Sequence, residues 1–400
     1  MPRFEPFRAL RYAAASLSPL VAPPYDVLSE ADVTELEARS PANIVHVDVP
    51  RGGEDRYRHA AEVLDSWRAA GVLVTDDVPS FTIYRMAFRD DLGAPREIAG
   101  VLGGLEVTDE GAGGVLPHER TTPKASTDRL DLTRATRTNL SPVWGLSLAS
   151  GLSALLSAPG ELVGQVVDEG VEHRVERVTD PERLAAIAAL VGSDDVLIAD
   201  GHHRYGISRI FRDEVRAATG RTNGPAELTL AFVNELVPEQ LSVAAIHRLY
   251  RDISLEALQR TLRGYFDMTE MATPTPQTLS DMVAGGFLVL TSTSGSWRLD
   301  PRPGAFDGVR ALDGVWLETA LADTEATVNY QHGLPEALGH VATGEVTAAV
   351  LIRPVSVAEI ERTARERLLM PPKSTFFTPK LKTGFVLRPL DSTPEPATVA

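Results

Sequence analysis

Apolar positions along this chain follow two rhythms, and the sharpest change between them falls near the middle. Val196, Leu197, Ile198 and Ala199 form an uninterrupted apolar run of the buried-strand kind, and it passes directly into Asp200-Gly201-His202-His203-Arg204. Beyond that polar stretch Ile207, Ile210, Phe211, Val215 and Ala218 recur at helical spacing, so the pattern predicts strand, turn, helix. Upstream, Ser29 is placed to cap a helix over 30–38, residues 44–49 alternate as a strand, and 55–70 is amphipathic through Tyr57, Ala61, Leu64 and Trp67. Residues 80–89 and 97–108 read as paired strands around a loop, Ser126 opens a helix to about 138, and 143–178 reads as short strands with one small helix. An Ala-rich helix over 181–190 leads to the central strand, which the apolar runs 227–233 and 241–250 are expected to flank.

Past Tyr250 helices and strands alternate as far as 369, and the Pro-rich breaks at 273–276 and 301–304 are too short to be linkers. The fold class read from this succession is α/β to α+β: a mixed sheet flanked by helices, in two lobes with a central cleft. The lobes are expected at 1–250, carrying the motifs, and 251–390, with an acidic, Pro-rich tail over 391–400 that frays.

Composition narrows the chemistry. With 400 residues, 43% of them hydrophobic, the chain can bury an ample core. No apolar stretch approaches the length of a membrane span, and residues 1–12 are charged and Pro-broken, unlike a signal peptide, so a cytoplasmic protein without a membrane partner is expected. Zero cysteines exclude disulfides, thiol catalysis and thiolate metal sites. A net charge of −16 argues against a nucleic-acid partner, which requires basic patches, and directs attention to small ligands. Of 39 basic residues only Lys124, Lys373, Lys380 and Lys382 are lysines. An ammonium differs from a guanidinium as a point charge for phosphate, so Lys124, Lys373 and Lys380 are candidate ligand groups and Lys382 is read as surface.

The central turn is the densest chemistry. Gly201 permits a close turn, the free N–H groups at the helix start suit a phosphate or carboxylate, and Arg204 offers a planar donor fork. Asp200, His202 and His203 add a carboxylate and two imidazoles. A plain capping turn needs Asp and Gly but has no use for two histidines and an arginine. Glu119, between a Gly-rich lead and the basic Arg120 and Lys124, is expected to stay ionised and to accept a proton from a hydroxyl or hold a metal. The helix after Ser126, with Arg129, Arg134 and Arg137, reads either as part of this basic region or as a solvated face with salt bridges. Pro23-Pro24-Tyr25-Asp26 reads equally as a rigid loop or as part of the site. His247-Arg248 reads either as reaching the site or, for a lone His on an apolar segment, as a satisfied core residue. Residues 371–390 hold four basic residues and no acid. There Lys373-Ser374-Thr375 lacks the glycine lead of a Walker loop, but Lys373 and Lys380 are expected to meet phosphates held at 201–204.

Four blocks in order, Ala22 to Val27, Pro117 to Thr121, Ala199 to Tyr205 and Met370 to Phe377, identify the chain as a member of domain-of-unknown-function family 1015. Its Asp-Gly-His-His-Arg block resembles the core motif of the ParB/sulfiredoxin-like superfamily and is similar to that of free-serine kinases. The resemblance implies a ParB/sulfiredoxin-like core and a small-molecule kinase that uses ATP or ADP with Mg²⁺ to phosphorylate free serine or a similar hydroxyl compound. It further implies Glu119 as base and Asp200, His202 and His203 as catalytic companions. Gly201, His203, Arg204, Arg120, Lys124, Lys373, Ser374, Thr375 and Lys380 would hold the nucleotide. Two alternatives stand beside it: a nucleotide-binding regulatory protein without turnover, and a metal-dependent hydrolase using Asp200, His202 and His203. Adjacent histidines on one turn point apart, which disfavours the hydrolase.

Overall fold

A computed structural model of the chain describes residues 1–14, 16–90, 93–119 and 126–391. They form two compact units, one from 1–89, 95–241 and the segment from 379 onward, the other from 90–94 and 242–378. No helix among the described residues is long and apolar enough to cross a membrane.

The first unit is built on a nine-stranded mixed sheet. Its order is Val115–Pro117, Val196–Asp200, Val143–Ser147, Leu228–Glu235, Pro95–Glu106, Phe81–Arg89, Val171–Val178 and Glu161–Asp168, with Phe4–Glu5 added to Pro95–Glu106. Val196–Asp200 runs parallel to Val115–Pro117 and antiparallel to Val143–Ser147, which is parallel to Leu228–Glu235. Two strands therefore end, and two begin, along the same edge of the sheet. One face buries Leu152, Leu156, Ile187 and Val191 from the helices Leu152–Leu156 and Pro181–Val191 against Ile83, Val101 and Val233. The helix His202–Thr219 contributes Ile207 and Phe211 to a smaller cluster with Leu130 of the helix Ser126–Thr136. Large side chains fix the register: Trp144 packs edge-on to Phe232 at 5.3 Å and donates its indole N–H to Asn234 Oδ1 at 2.7 Å. Each fully buried aromatic of this kind contributes roughly 1.5–3 kcal/mol of hydrophobic stabilisation.

Several sequence expectations change here. Residues 44–49 form no strand but a short helix, Val45–Asp48. Ile44, Val45, Val47 and Asp48 are all buried, so burial surrounds the segment and two-residue alternation carries no information about which face is inside. Asn43 closes the turn, its Oδ1 accepting from Val45 N–H at 3.0 Å and its Nδ2 donating to the Pro19 carbonyl at 2.8 Å. The apolar runs expected to flank the central strand do not pair with it: Leu228–Glu235 lies two places away, and Ile246–Arg251 belongs to the sheet of the second unit. The segment from 379 on joins the first unit, where Arg388–Pro389 pairs with Thr138–Asn139.

The second unit is a six-stranded sheet in the order Phe266–Met271, Gly295–Pro301, Leu288–Ser292, Ala348–Leu351, Ile246–Arg251 and Thr327–His332, every neighbouring pair antiparallel. Alternation along its strands divides two cores. Leu288, Leu290 and Tyr250 face the helices Leu255–Leu262 and Asp313–Ala320, while Val289 and Leu249 face Pro276–Gly285 and Leu334–Ala342.

Candidate active site

The shared sheet edge in the first unit gathers the polar residues. Val115–Pro117 ends into His118 and Glu119; Val196–Asp200 ends into Gly201 and the 18-residue helix His202–Thr219. Tyr205 anchors that helix, its hydroxyl accepting from Thr108 N–H at 2.8 Å and donating to the Glu106 carbonyl at 2.9 Å. Gly201 is required on two counts. Its φ is +85°, a region side chains avoid, and a Cβ there would meet Arg204 Cζ at 3.0 Å. Gly201 at the N-cap gives the helix no side-chain hydrogen bond, and the positive end of the helix dipole lies at this turn.

Arg204 is engaged inside the protein. Its side chain is 10% exposed; Nη2 donates to Asp200 Oδ2 at 3.0 Å, Nη1 donates to the Pro142 carbonyl, and the Asp26 carboxylate stands 3.9 Å away. Nε is buried without a partner among the described residues. The fork read from sequence as open to a ligand thus organises Asp200, and only Nε is left over. Lys380 Nζ approaches the same Asp200 oxygen to 3.6 Å. Burial pushes the Asp200 carboxyl upward, but Arg204, Lys380 and the Gly201 N–H outweigh it and hold it down at about 2. Asp200 is therefore an anion at neutral pH.

His118 and His202 sit with ring centroids 4.8 Å apart. His118 Nδ1 donates to the Ile198 carbonyl at 2.5 Å, which leaves Nε2 unprotonated, 3.8 Å from Glu119 Oε2. The His118 backbone N–H donates to His202 Nε2 at 3.3 Å, placing the His202 proton on Nδ1. Burial lowers both imidazoles, His118 to about 4 and His202 well below its ordinary range, so both are neutral at pH 7.

Further charge surrounds these residues, from Arg129 and the Tyr25-Asp26 block, both named from the sequence, and from Asp48, which was not. Arg129 lies 3.9 Å above the Tyr25 ring and donates through Nη1 to Asp48 Oδ1 at 3.1 Å and to the Asp48 carbonyl at 2.5 Å. Burial pushes the Asp48 carboxyl up, with Arg129 and Arg204 pulling it back. Asp48, Arg129, Asn139, Ser141 and Arg204 line a cavity of about 40 Å³, room for a water or a small polar group. Tyr25 and Asp26 come from the Pro-Pro-Tyr-Asp block, which was a legible signal. Asp48 lay on the misread 44–49 segment and gave none.

Of the residues singled out from sequence, Glu119, Asp200, Gly201, His202, Arg204 and Lys380 are all placed in the first unit at this edge, and His203 follows on the first turn of the helix, half-buried. Arg120 and Lys124 lie outside the described residues. Lys373, Ser374 and Thr375 belong to the second unit. There Lys373 is exposed, with an uncommon φ of 59°, Ser374 Oγ donates to the Pro371 carbonyl at 2.7 Å, and half-buried Thr375 leads into the strand Phe376–Phe377. Lys382, read as surface, is instead buried and paired with Asp168, its backbone N–H donating to Tyr84 Oη at 3.0 Å. His247 is a buried residue of the second unit, Nδ1 accepting from Ile352 N–H at 3.3 Å. Among the described residues no three His, Cys, Asp or Glu side chains gather to hold a metal.

No curated protein matches the chain. Among solved structures, a conserved hypothetical protein from Pyrococcus furiosus is 13% identical, over 69% of this chain and 92% of its own, with a TM-score of 0.37. A free serine kinase in complex with AMP is 13% identical, over 68% and 89%, at 0.36. SbnI with a C-terminal truncation, from Staphylococcus aureus, is 14% identical, over 72% and 87%, at 0.38. All three scores fall below 0.5, and these likenesses assign neither fold nor activity. The family model described as "Protein of unknown function (DUF1015)" matches residues 4–315, and the chain belongs to that family.

Proposed function

We propose that the first unit carries a phosphotransferase site that phosphorylates a small hydroxyl compound, free serine or one like it, with ATP or ADP as donor. The observation that carries this reading is one juxtaposition at the ends of two adjacent parallel strands. A helix start with glycine at its N-cap, an ionised Asp200 held by Arg204 and Lys380, and Glu119 beside the His118 ring lie along one sheet edge. Phosphoryl transfer asks a protein mainly for positioning and charge neutralisation, and these parts supply both. The first-turn N–H groups of the His202–Thr219 helix and the Lys380 ammonium receive phosphate oxygens. Glu119 takes the proton of the acceptor hydroxyl, with the His118 ring 3.8 Å away. Asp200 and Glu119 are oxygen donors of the kind Mg²⁺ accepts when phosphates and water complete its shell, and the ion would supply further neutralisation of phosphate charge.

The test is direct. Purified protein is incubated with Mg²⁺ and ATP, ADP or pyrophosphate together with a pool of amino acids and polyols, and the mixture is read by phosphorus NMR for a phosphorylated product. A product that disappears in Glu119→Gln supports the reading. Nucleotide binding without any product favours the regulatory alternative, and neither binding nor product overturns both.

A further inference from the structure

The second unit buries a cation that lacks a matching anion. Arg248, on the strand Ile246–Arg251, is 3% exposed, and no carboxylate oxygen of the described residues lies within 4.0 Å of its guanidinium. Its Nη1 donates to the Ile246 carbonyl at 2.6 Å and the Lys373 carbonyl at 3.3 Å, and its Cζ stands 4.7 Å over the Tyr330 ring. Neither Nε nor Nη2 donates to a described group. Asp313 and Glu318 act on Arg248 only through space. The Asp313 carboxylate is already taken, accepting from Arg353 through Nη2 at 2.5 Å, Nε at 3.0 Å and the backbone N–H at 2.8 Å. Leaving a buried guanidinium without a counter-charge is costly, and burial is the dominant influence on this one.

The surroundings of Nη2 add a second observation. The eight-residue helix Asp313–Ala320 starts beside it, and its N-cap Leu312 offers no side-chain acceptor. At the second helical position, a Cβ on Gly314 would meet Arg248 Nη2 at 2.7 Å, so the guanidinium occupies the space a side chain would have taken. The helix start thus lies against the guanidinium, and the acid of its first turn, Asp313, is already paired with Arg353. The third observation is Lys373, exposed and held in the left-handed region at φ 59° while its carbonyl is tied to Arg248. Such backbone persists where the surroundings over-determine it, commonly at ligand clamps.

We propose that Arg248, the first turn at Gly314 and Lys373 form a binding site for a small oxyanion, the phosphate or carboxylate group of a ligand, within the second unit. The inference goes beyond the phosphotransfer reading and does not depend on it. A carboxylate or phosphate oxygen there completes the donor set of the guanidinium, meets the helix N–H groups and lies within the sweep of the Lys373 ammonium.

The experiment uses the full chain carrying Lys380→Ala, which removes the phosphate-facing ammonium of the first unit, and titrates inorganic phosphate and acetate separately by calorimetry. Saturable binding of either probe is expected; which one binds tighter identifies the ligand group. Adding Lys373→Ala, an exposed position that leaves packing intact, is expected to weaken that binding about tenfold, the scale of one charge-assisted contact. Gly314→Ala, which displaces the guanidinium, is expected to abolish it. The site is overturned if neither probe binds the Lys380→Ala chain, or if affinity is unchanged by both Lys373→Ala and Gly314→Ala. Phosphate binding that is lost with Lys380→Ala alone and indifferent to Lys373 places the anion in the first unit; it also overturns this site, while leaving the phosphotransfer reading untouched.

Discussion

Asp200 keeps its charge in a place that would otherwise neutralise it, and that has a measurable signature in acid. Its folded carboxyl titrates at about 2 against an ordinary 3.8. A depressed carboxyl stabilises the fold fully above its unfolded pKa, and that contribution is lost as pH falls through the folded value. Between roughly pH 4 and 2 the wild-type chain is therefore expected to lose about 2 kcal/mol more stability than Asp200→Asn, measured by urea denaturation at fixed pH steps. His118 works in the same direction by a different route. Its folded pKa of about 4 lies below the ordinary 6.5, so the unfolded chain takes up the proton first. Stability should fall as pH drops from about 6.5 to 4, and His118→Gln should flatten that part of the profile. For Glu119 the readout is kinetic: Glu119→Gln is expected to retain the melting temperature and nucleotide affinity while turnover drops at least ~100-fold. Near-wild-type turnover would reduce Glu119 to a salt-bridge partner. At this scale the Asp200 to Arg204 run was legible as a dense polar cluster, although Arg204 has a structural task there, holding Asp200 and the Pro142 carbonyl. The Asp48–Arg129 pair was not: its members are far apart in sequence, and neither segment alone shows what it faces.

Helix starts show where local chemistry suffices and where it does not. Ser29 and Asp32 form a reciprocal capping box, and Asp180 accepts from Arg183 N–H ahead of Pro181; both helix starts were readable from a handful of neighbouring residues. The His202–Thr219 helix starts at Gly201 with no cap from that residue, as Leu152–Leu156 does at Gly151 and Leu334–Ala342 at Gly333. Gly201→Ala is expected to cost ~1–3 kcal/mol for the left-handed backbone, and more if Arg204 cannot give way. Chemical denaturation would show the loss, and a variant as stable as wild type would refute the strain argument. Arg204→Ala is expected to cost about 1.5–3 kcal/mol, the scale of a hydrogen bond to a charged group, because it takes the nearer of two cations from the Asp200 carboxylate and leaves Lys380. Strand order, by contrast, was beyond the pattern. Val115–Pro117 and Val196–Asp200 are neighbours only because the sheet brings them together, and nothing in either segment encodes the pairing.

Each of the two units has its own apolar core, the first around Ile83, Val101 and Val233, the second around Leu258, Leu288 and Val350 on one face of its sheet. Separate cores favour separate cooperative transitions. Scanning calorimetry of the full chain is expected to resolve two, and inorganic phosphate added to the Lys380→Ala chain should raise only the one assigned to the second unit. A single transition that shifts as a whole would show that the units melt together. The sequence pattern puts a change of texture after Tyr250, whereas the second unit begins at Ser242 and takes the strand Ile246–Arg251 with it. Which unit claims the residues after 378 was not visible in the sequence, because a basic, acid-free stretch advertises an anion but not an address. That address has a bearing on how the protein is made. Lys380, which flanks Asp200, and Arg388–Pro389, which completes a strand pair with Thr138–Asn139, are translated only after all of 242–378. On the ribosome the first unit must wait, one strand and one ammonium short, until the second has been synthesised. A nascent chain that terminates early leaves Asp200 without its lysine.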